Sequence, residues 1–342
     1  MKSIKPIVVT MGEPSGISSE IIIKIWKKRK VLGIPPFILI DDIQKLKKIN
    51  NFFDFNVKFH ELKKNDNVLE IFPKLIPVID LKCNIKFKLG KPTSSNSRCV
   101  IKSINQAFEL VYSKKVSSML TLPVCKKMLK TAKFNYNGQT EYLSYLTKKK
   151  TLKKQSEIMI LSTTKPVDNG ANLIVGLVTT HIPLVKVKTY IKKEIVIDKI
   201  LSFKNSLQKI WKINKPRIAI LNVNPHSGEG GLIGNEESKI IAPIIKKIKN
   251  SDVNIIGPIS SDSVFHKESR KNFDGILCFY HDQGLIPIKT LDFKNSINVT
   301  GGLPFIRVSP DHGPAFDIAD KNKASIDSTV ASFNFLKKII YK

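Results

Sequence analysis

Short β-rich runs alternate with helix-patterned stretches along the chain, and this alternation restricts the fold more than any other feature. Candidate strands are PIVVTM (6–11), PFILI (36–40), VSSMLTL (116–122), EIMILS (157–162), NLIVGLVTT (172–180), RIAILNV (217–223), NIIGPI (254–259) and GILCFY (275–280). Helical periodicity fills the intervals near 17–30, 96–113, 140–149, 183–211, 235–250 and 324–340. Several strands are apolar on both faces, as in a parallel sheet covered by helices. An α/β protein is expected. With 342 residues, 42% of them hydrophobic, the chain can fill about two domains of roughly 150 residues each.

No apolar run approaches the roughly 20 residues that span a bilayer, and the first residues lack the apolar core of a signal peptide. A cytoplasmic protein with no membrane partner is expected. The four cysteines (Cys83, Cys99, Cys125, Cys278) form no CxxC pair, so neither a zinc knuckle nor a disulfide framework is expected, only reduced thiols. The formal net charge of +29 raises the possibility of nucleic-acid binding. Only five of the 57 basic residues are arginine, however, and the lysines are spread along the chain. Base-reading surfaces favour arginine, whose fork bonds guanine twice. A merely basic surface is the better reading, with no specific nucleic-acid partner.

Polar residues collect just after the strands: Thr10–Gly16, Thr180-His181, Asn222–Gly231 and His281-Asp282. Ligands of open α/β sheets bind at the carboxyl ends of strands, so these loops are candidates for one site. Of six histidines, His181, His226 and His281 lie beyond apolar strands in separate loops. Three neutral imidazoles with an open position suit a catalytic divalent cation. His60 and His266 sit in Lys-rich surroundings and read as surface residues. A second group, Lys289, Asn298, Thr300 and Arg307, suggests phosphate or carboxylate recognition, with Arg307 set in an apolar PFIRVS run. No dinucleotide fingerprint is present, because Gly228-Glu-Gly230-Gly231-Leu-Ile233-Gly234 misses GxGxxG at position 233. Its backbone N–H groups could still hold an anion, since it follows a strand and opens an expected helix.

The stretches MGEPSGI (11–17), TTHIPL (179–184), NPHSGEGG (224–231), YHDQGLIPIK (280–289) and NVTGGLPFIRVSPDHGPAFDIA (298–319) resemble the 4-hydroxythreonine-4-phosphate dehydrogenase family of vitamin B6 biosynthesis. The resemblance is collinear from about residue 6 onward. It implies an isocitrate/isopropylmalate dehydrogenase-like fold with two α/β domains, 1–140 plus 312–342 and 141–311, an active-site cleft between them, and a homodimer. It also implies NAD (NADP is the other option) and one divalent metal ion per subunit, Zn, Co or Mg. On the matching positions, His181, His226 and His281 would be metal ligands. Gln139, Thr140, Lys289, Asn298 and Arg307 would bind a small phosphorylated substrate, and Asp262 and Asp282 would be catalytic. Asn224, Gly228, Gly230 and Gly231 would shape the cofactor side.

Three departures lie in the first half. The family's Gly-His-Thr-Glu is Gly138-Gln139-Thr140-Glu141 here, Thr-Gly-Pro-x-x-Lys is Thr121-Leu122-Pro123-Val124-Cys125-Lys126, and Ser18-Ser19 stands where Gly-Pro is usual. Glutamine keeps hydrogen bonding but cannot carry the charge of a histidine. Beside oxidation of 4-phosphooxy-L-threonine stand a paralogous dehydrogenase of threonate or erythronate 4-phosphate or of a cis-diol, kept open by Gln139, and a basic nucleic-acid-binding protein, motivated by the net charge of +29.

Overall fold

A computed structural model describes residues 4–152, 156–167, 173–249 and 254–341. The ends of two expected elements, at residues 172 and 250, lie outside the described residues. The strands are β1 (Ile7–Thr10), β2 (Phe37–Asp41), β3 (Phe59–Glu61), β4 (Ile76–Asp80), β5 (Ser118–Leu120), β6 (Ile158–Thr163), β7 (Ile174–Leu177), β8 (Arg217–Leu221), β9 (Asn254–Ile259), β10 (Gly275–Cys278), β11 (Ser296–Gly301) and β12 (Arg307–Pro310). They fall into two compact units, residues 1–146 with 304–342, and residues 147–303. Arg307 therefore belongs to the first unit, apart from the three histidines. No helix among the described residues is long and apolar enough to cross a membrane.

The first unit has strand order β3-β4-β2-β1-β5-β12, with every neighbouring pair parallel. Its central strands are fully buried because both faces are apolar: Ile7, Val8 and Val9 have no exposed surface. The helix Ser97–Tyr112 lays Val100, Ile104, Ala107 and Phe108 on this sheet. Strands β3, β4 and β12, like β11 of the second unit, have no counterpart in the sequence reading. β4 carries Pro77, which normally argues against a strand because it lacks an N–H donor. β3 and β12 are only three and four residues long.

The cysteine expectation is corrected here. Cys83 and Cys99 form a disulfide, with Cα atoms 6.2 Å apart and a sequence separation of 16. The spacing has no motif, so only the fold, which brings the segment after β4 to the start of the helix Ser97–Tyr112, makes the pair visible. Cys125 and Cys278 are free, and Cys278 is buried. Alkylation of the unfolded, unreduced protein should thus label Cys125 and Cys278 alone, and prior reduction should add Cys83 and Cys99. Mass spectrometry of four labelled cysteines without reduction would contradict the bond.

The second unit has strand order β11-β6-β7-β10-β8-β9. β7, β10, β8 and β9 run parallel, but β6 is antiparallel to both β7 and β11, which departs from the expected parallel arrangement. The helix Lys193–Ile210 covers one face, where Gly176 and Gly275 make room for Phe203. A Cβ on Gly275 would lie 2.7 Å from the Phe203 ring. The opposite face holds Leu161, Val175, Leu177, Ala219, Ile276 and Ile288 in one cluster.

Three expected elements change character. The 183–211 pattern resolves into the helices Val187–Tyr190 and Lys193–Ile210. The glycine-rich segment does not open a helix: residues 226–231 all have positive φ, and a π-helical turn, Glu237–Ile241, precedes the helix Ala242–Lys249. Finally, His281, expected in a loop, begins a helix, His281–Asp292, in which Gly284 is not a turn residue. Gly284 is needed instead for close packing, since its Cβ would meet Leu177 Cδ2 at 2.7 Å and Val175 Cγ1 at 2.9 Å.

Candidate active site

In the second unit the parallel strands deliver their following loops side by side. Val178 N–H donates to Cys278 C=O at 2.8 Å, and Thr179 bonds Phe279 C=O through both N–H (3.1 Å) and Oγ1 (2.6 Å). This zipper extends β7 and β10 past their ends and brings their histidines together: the rings of His181 and His281 are 5.3 Å apart between centroids. His281 Nδ1 lies 2.6 Å from Asp282 Oδ1. A carboxylate at Nδ1 takes the N–H of that nitrogen and leaves the Nε2 lone pair for a ligand.

His226 stands on the loop after β8, exposed, with φ +49°. It lies near Asp262, which follows β9. Hydrogen bonding from the Ser260 side chain holds the Asp262 carboxyl below its usual range, and His226 adds to this. Among the described residues, no group of three or more His, Cys, Asp or Glu side chains is arranged to hold a metal ion. The structure thus pairs two of the three expected ligands and sets the third beside a carboxylate. The donor chemistry fits a divalent cation: imidazoles, one of them oriented by a carboxylate at its far nitrogen.

The loop that carries His226 is braced from behind. Glu237 Oε1 accepts the N–H groups of Val223 and Asn224, each at 2.7 Å, and Oε2 accepts Asn224 Nδ2 at 2.9 Å. Asn224 Nδ2 also reaches Glu236 at 2.8 Å, and Lys188 pairs with Glu236 at 2.9 Å. Asn224 therefore spends its amide inside the protein rather than presenting it to a cofactor. Gly228 is a packing glycine, because a Cβ there would sit 2.3 Å from Gly234 C=O. Gly230 and Gly231 face open space, which leaves their backbone accessible to a ligand. Residues Ser227 and Glu229 hold left-handed φ values of 55° and 46°, a conformation costing roughly 1 kcal/mol per non-glycine residue. Replacing exposed Glu229 with Gly should raise stability by about 0.5 kcal/mol in denaturant titration, the relieved strain being offset in part by the added freedom of the unfolded chain; a midpoint that falls would contradict the strain.

The same brace gives a pH dependence. Lys188 and Asn224 hold the Glu236 carboxyl down at about 2, against an ordinary value of 4.5. Its contribution is then complete above pH 4.5 and lost as pH falls toward 2. Lys188 is 79% exposed, which screens the pair and limits the effect to about 2 kcal/mol. Urea unfolding at pH 5 and pH 3 should show the parent's advantage over Glu236→Gln shrinking by about half across that interval. An advantage undiminished at pH 3 would refute the assignment.

The first unit holds a different kind of cluster. Arg307 is 3% exposed. Thr121 Oγ1 accepts from its Nε (2.9 Å) and Nη2 (2.6 Å), and Thr140 Oγ1 from Nη1 (3.2 Å). Burial pushes its pKa down to about 10, with Glu141 opposing. The group stays cationic at neutral pH but has lost much of its hydration, so it favours an anion. Burial also lowers Lys126, again opposed by Glu141. Gln139 Nε2 donates to Leu122 C=O at 3.1 Å, leaving buried Oε1 without a hydrogen-bond partner. In the second unit, the buried Oδ1 of Asn298 on β11 is likewise unpartnered. Lys289 is half-buried in the helix His281–Asp292, its Nζ 4.8 Å from the Phe293 ring centroid.

Some functional groups were missed from the sequence. Thr121 and Glu141 lie inside departed motifs and carry no signal of their own. Gln283 was given no role from the sequence, yet its buried amide bonds the Phe279 N–H, the Asn222 C=O and Ser261 Oγ.

Imidazoles and carboxylates gathered at the carboxyl ends of parallel strands place the chain among α/β enzymes. Comparison with known proteins narrows the class. The Pyridoxal phosphate biosynthetic protein PdxA family pattern matches residues 34–336. A 4-hydroxythreonine-4-phosphate dehydrogenase of Caulobacter vibrioides is 36% identical over 336 residues, covering 98% of this chain and 97% of that one. The crystal structure of 4-hydroxythreonine-4-phosphate dehydrogenase from Klebsiella pneumoniae superposes with a TM-score of 0.82 at 33% identity, covering 98% of this chain and 99% of that chain. The chain belongs to the PdxA family. A terephthalate 1,2-cis-dihydrodioldehydrogenase from Burkholderia xenovorans shares the fold alone, with a TM-score of 0.61 at 18% identity, covering 97% of each chain.

Proposed function

We propose that the chain oxidises the C3 hydroxyl of 4-phosphooxy-L-threonine with NAD and a divalent metal ion, in pyridoxal 5'-phosphate biosynthesis. The observation that carries this reading is the His181–His281 pair with Asp282 on Nδ1 of His281. His181, His226 and His281 would hold the metal, which when bound polarises the substrate hydroxyl and so eases loss of its proton. Arg307 and Thr140 are the phosphate-binding groups of the first unit, and Lys289 and Asn298 are substrate-binding candidates of the second. Asp282 fixes the orientation of His281, and Asp262, exposed beside His226, takes the hydroxyl proton as hydride leaves C3 for NAD. Gly230 and Gly231 offer open backbone to the cofactor. The resulting 3-keto acid loses CO₂ to give 3-amino-2-oxopropyl phosphate. The family resemblance supports a cytoplasmic homodimer.

A second reading is kept by one side chain. The buried Gln139 Oε1 accepts without a partner, so it would favour a substrate donor, an ammonium or a hydroxyl. A hydroxy acid such as threonate or erythronate 4-phosphate satisfies it as an amino acid does. Purified protein with NAD and Zn²⁺, Co²⁺ or Mg²⁺ should reduce NAD fastest with 4-phosphooxy-L-threonine. Faster turnover of threonate or erythronate 4-phosphate would establish the second reading, and turnover of none would defeat both.

A further inference from the structure

In the second unit, His226, Asp262 and His281 stand on three separate strand-end loops, after β8, β9 and β10. One buried amide connects all three. Gln283, 7% exposed, lies two residues beyond His281 in the first turn of the helix His281–Asp292. Its Oε1 accepts the Phe279 N–H at 2.6 Å, at the end of β10. Its Nε2 donates to the Asn222 C=O at 2.7 Å, after β8, and to Ser261 Oγ at 2.6 Å, after β9.

The donor and acceptor accounting closes. Both hydrogens of the Gln283 amide meet acceptors. Ser261 Oγ accepts from Gln283 and donates to Asn222 Oδ1, which also takes the Ser261 N–H at 3.0 Å. Asn222 Nδ2 then reaches the Asn224 C=O at 2.8 Å, two residues before His226. Only a side chain of this length with two donors and one acceptor completes the set. Glutamate lacks the donors, and an apolar isostere would take the Gln283 partner from the Phe279 N–H and the Asn222 C=O, both buried bonds.

We propose that Gln283 is the positioning residue of the site: its amide sets the spacing of the loops after β8, β9 and β10, and with it the mutual placement of His226, Asp262 and His281. Asn222 and Ser261 transmit that placement. Gln283 itself touches no reacting atom. Its effect on turnover rests on the proposed dehydrogenase function, whereas its effect on the loops does not.

The test compares Gln283→Met and Ser261→Ala with Ile200→Val, a fully buried comparator in the helix Lys193–Ile210. For Gln283→Met, kcat should fall about 10- to 100-fold, as for loss of groups that orient metal ligands. KM for the phosphorylated substrate should stay within about threefold, because the phosphate-binding groups are untouched. Ser261→Ala should fall less, in the same pattern, and also serves if Gln283→Met fails to fold. In metal-free protein, ¹⁵N–¹H imidazole spectra should show His226 and His281 shifted in both variants. His60, bonded to Asp66 in the first unit, should be unmoved and serves as the reference. Ile200→Val should show neither change. If both variants keep parental kcat and imidazole positions, or Ile200→Val reproduces the changes, the proposal is overturned. If the parent turns over no substrate, the proposed function falls and the imidazole spectra alone decide the role of Gln283.

Discussion

Arg307→Met is expected to lower kcat/KM for the phosphorylated substrate about 10³-fold, roughly 4 kcal/mol, while stability stays within about 1 kcal/mol of the parent. The two effects separate because the guanidinium is desolvated. Burial has already moved its pKa down to about 10, so the folded protein carries the charge at a cost. Methionine keeps the volume and removes that cost, offsetting the hydrogen bonds lost at Thr121 and Thr140. A bound phosphate has no such substitute: without the fork it loses a charge-assisted, directional contact in a buried setting. Inorganic phosphate should raise the melting temperature of the parent and not of Arg307→Met, since a ligand stabilises only the form that binds it. A variant that melts far below the parent but keeps kcat/KM would show Arg307 to be a structural group and sink the assignment.

The sequence exposes the strands that deliver the site because their burial is two-sided. β1, β2, β6, β8 and β10 read as continuous apolar runs, and each has its place in a sheet. β4 and β12 escape notice for different reasons: Pro77 speaks against a strand, and β12 is only four residues long with a charged residue at its start. Neither signal is local, because both are outweighed by neighbouring strands that supply hydrogen bonds and burial. His281 was visible as a polar group at a strand end. That it opens a helix was not, because Gly284 and Pro287 both look like helix breakers. Gly284 is tolerated because the helix presses onto Val175 and Leu177, a contact between residues over a hundred positions apart. The antiparallel placement of β6 is likewise a matter of topology, which hydrophobic periodicity does not encode. The Cys83–Cys99 bond follows the same rule, since its partners meet only once β4 and the helix Ser97–Tyr112 are packed.

His281→Ala and Asp282→Asn should differ in size, and the difference decides what the His-Asp pair does. His281→Ala is expected to cost several kcal/mol of transition-state stabilisation, roughly 10³-fold or more in kcat, with metal affinity falling alongside. Asp282 stands 2.6 Å from Nδ1 of His281, but its side chain is 69% exposed. So exposed a carboxylate exerts little field through water, and its lasting contribution is the hydrogen bond that fixes the ring and leaves Nε2 as the ligand atom. Asparagine can still accept that N–H through Oδ1, so Asp282→Asn should cost only about 10- to 100-fold, through a less firmly oriented ring. A proton acceptor would behave otherwise, because asparagine cannot take a proton at all, and removal of a general base costs up to about 10⁴-fold. Steady-state kinetics paired with metal titration distinguish the two. If Asp282→Asn binds metal like the parent yet falls as far as His281→Ala, Asp282 carries the proton and the orienting role assigned to it is wrong. If both metal affinity and kcat fall by the smaller factor together, the carboxylate acts through His281, and the proton passes to another group, for which Asp262 beside His226 is placed.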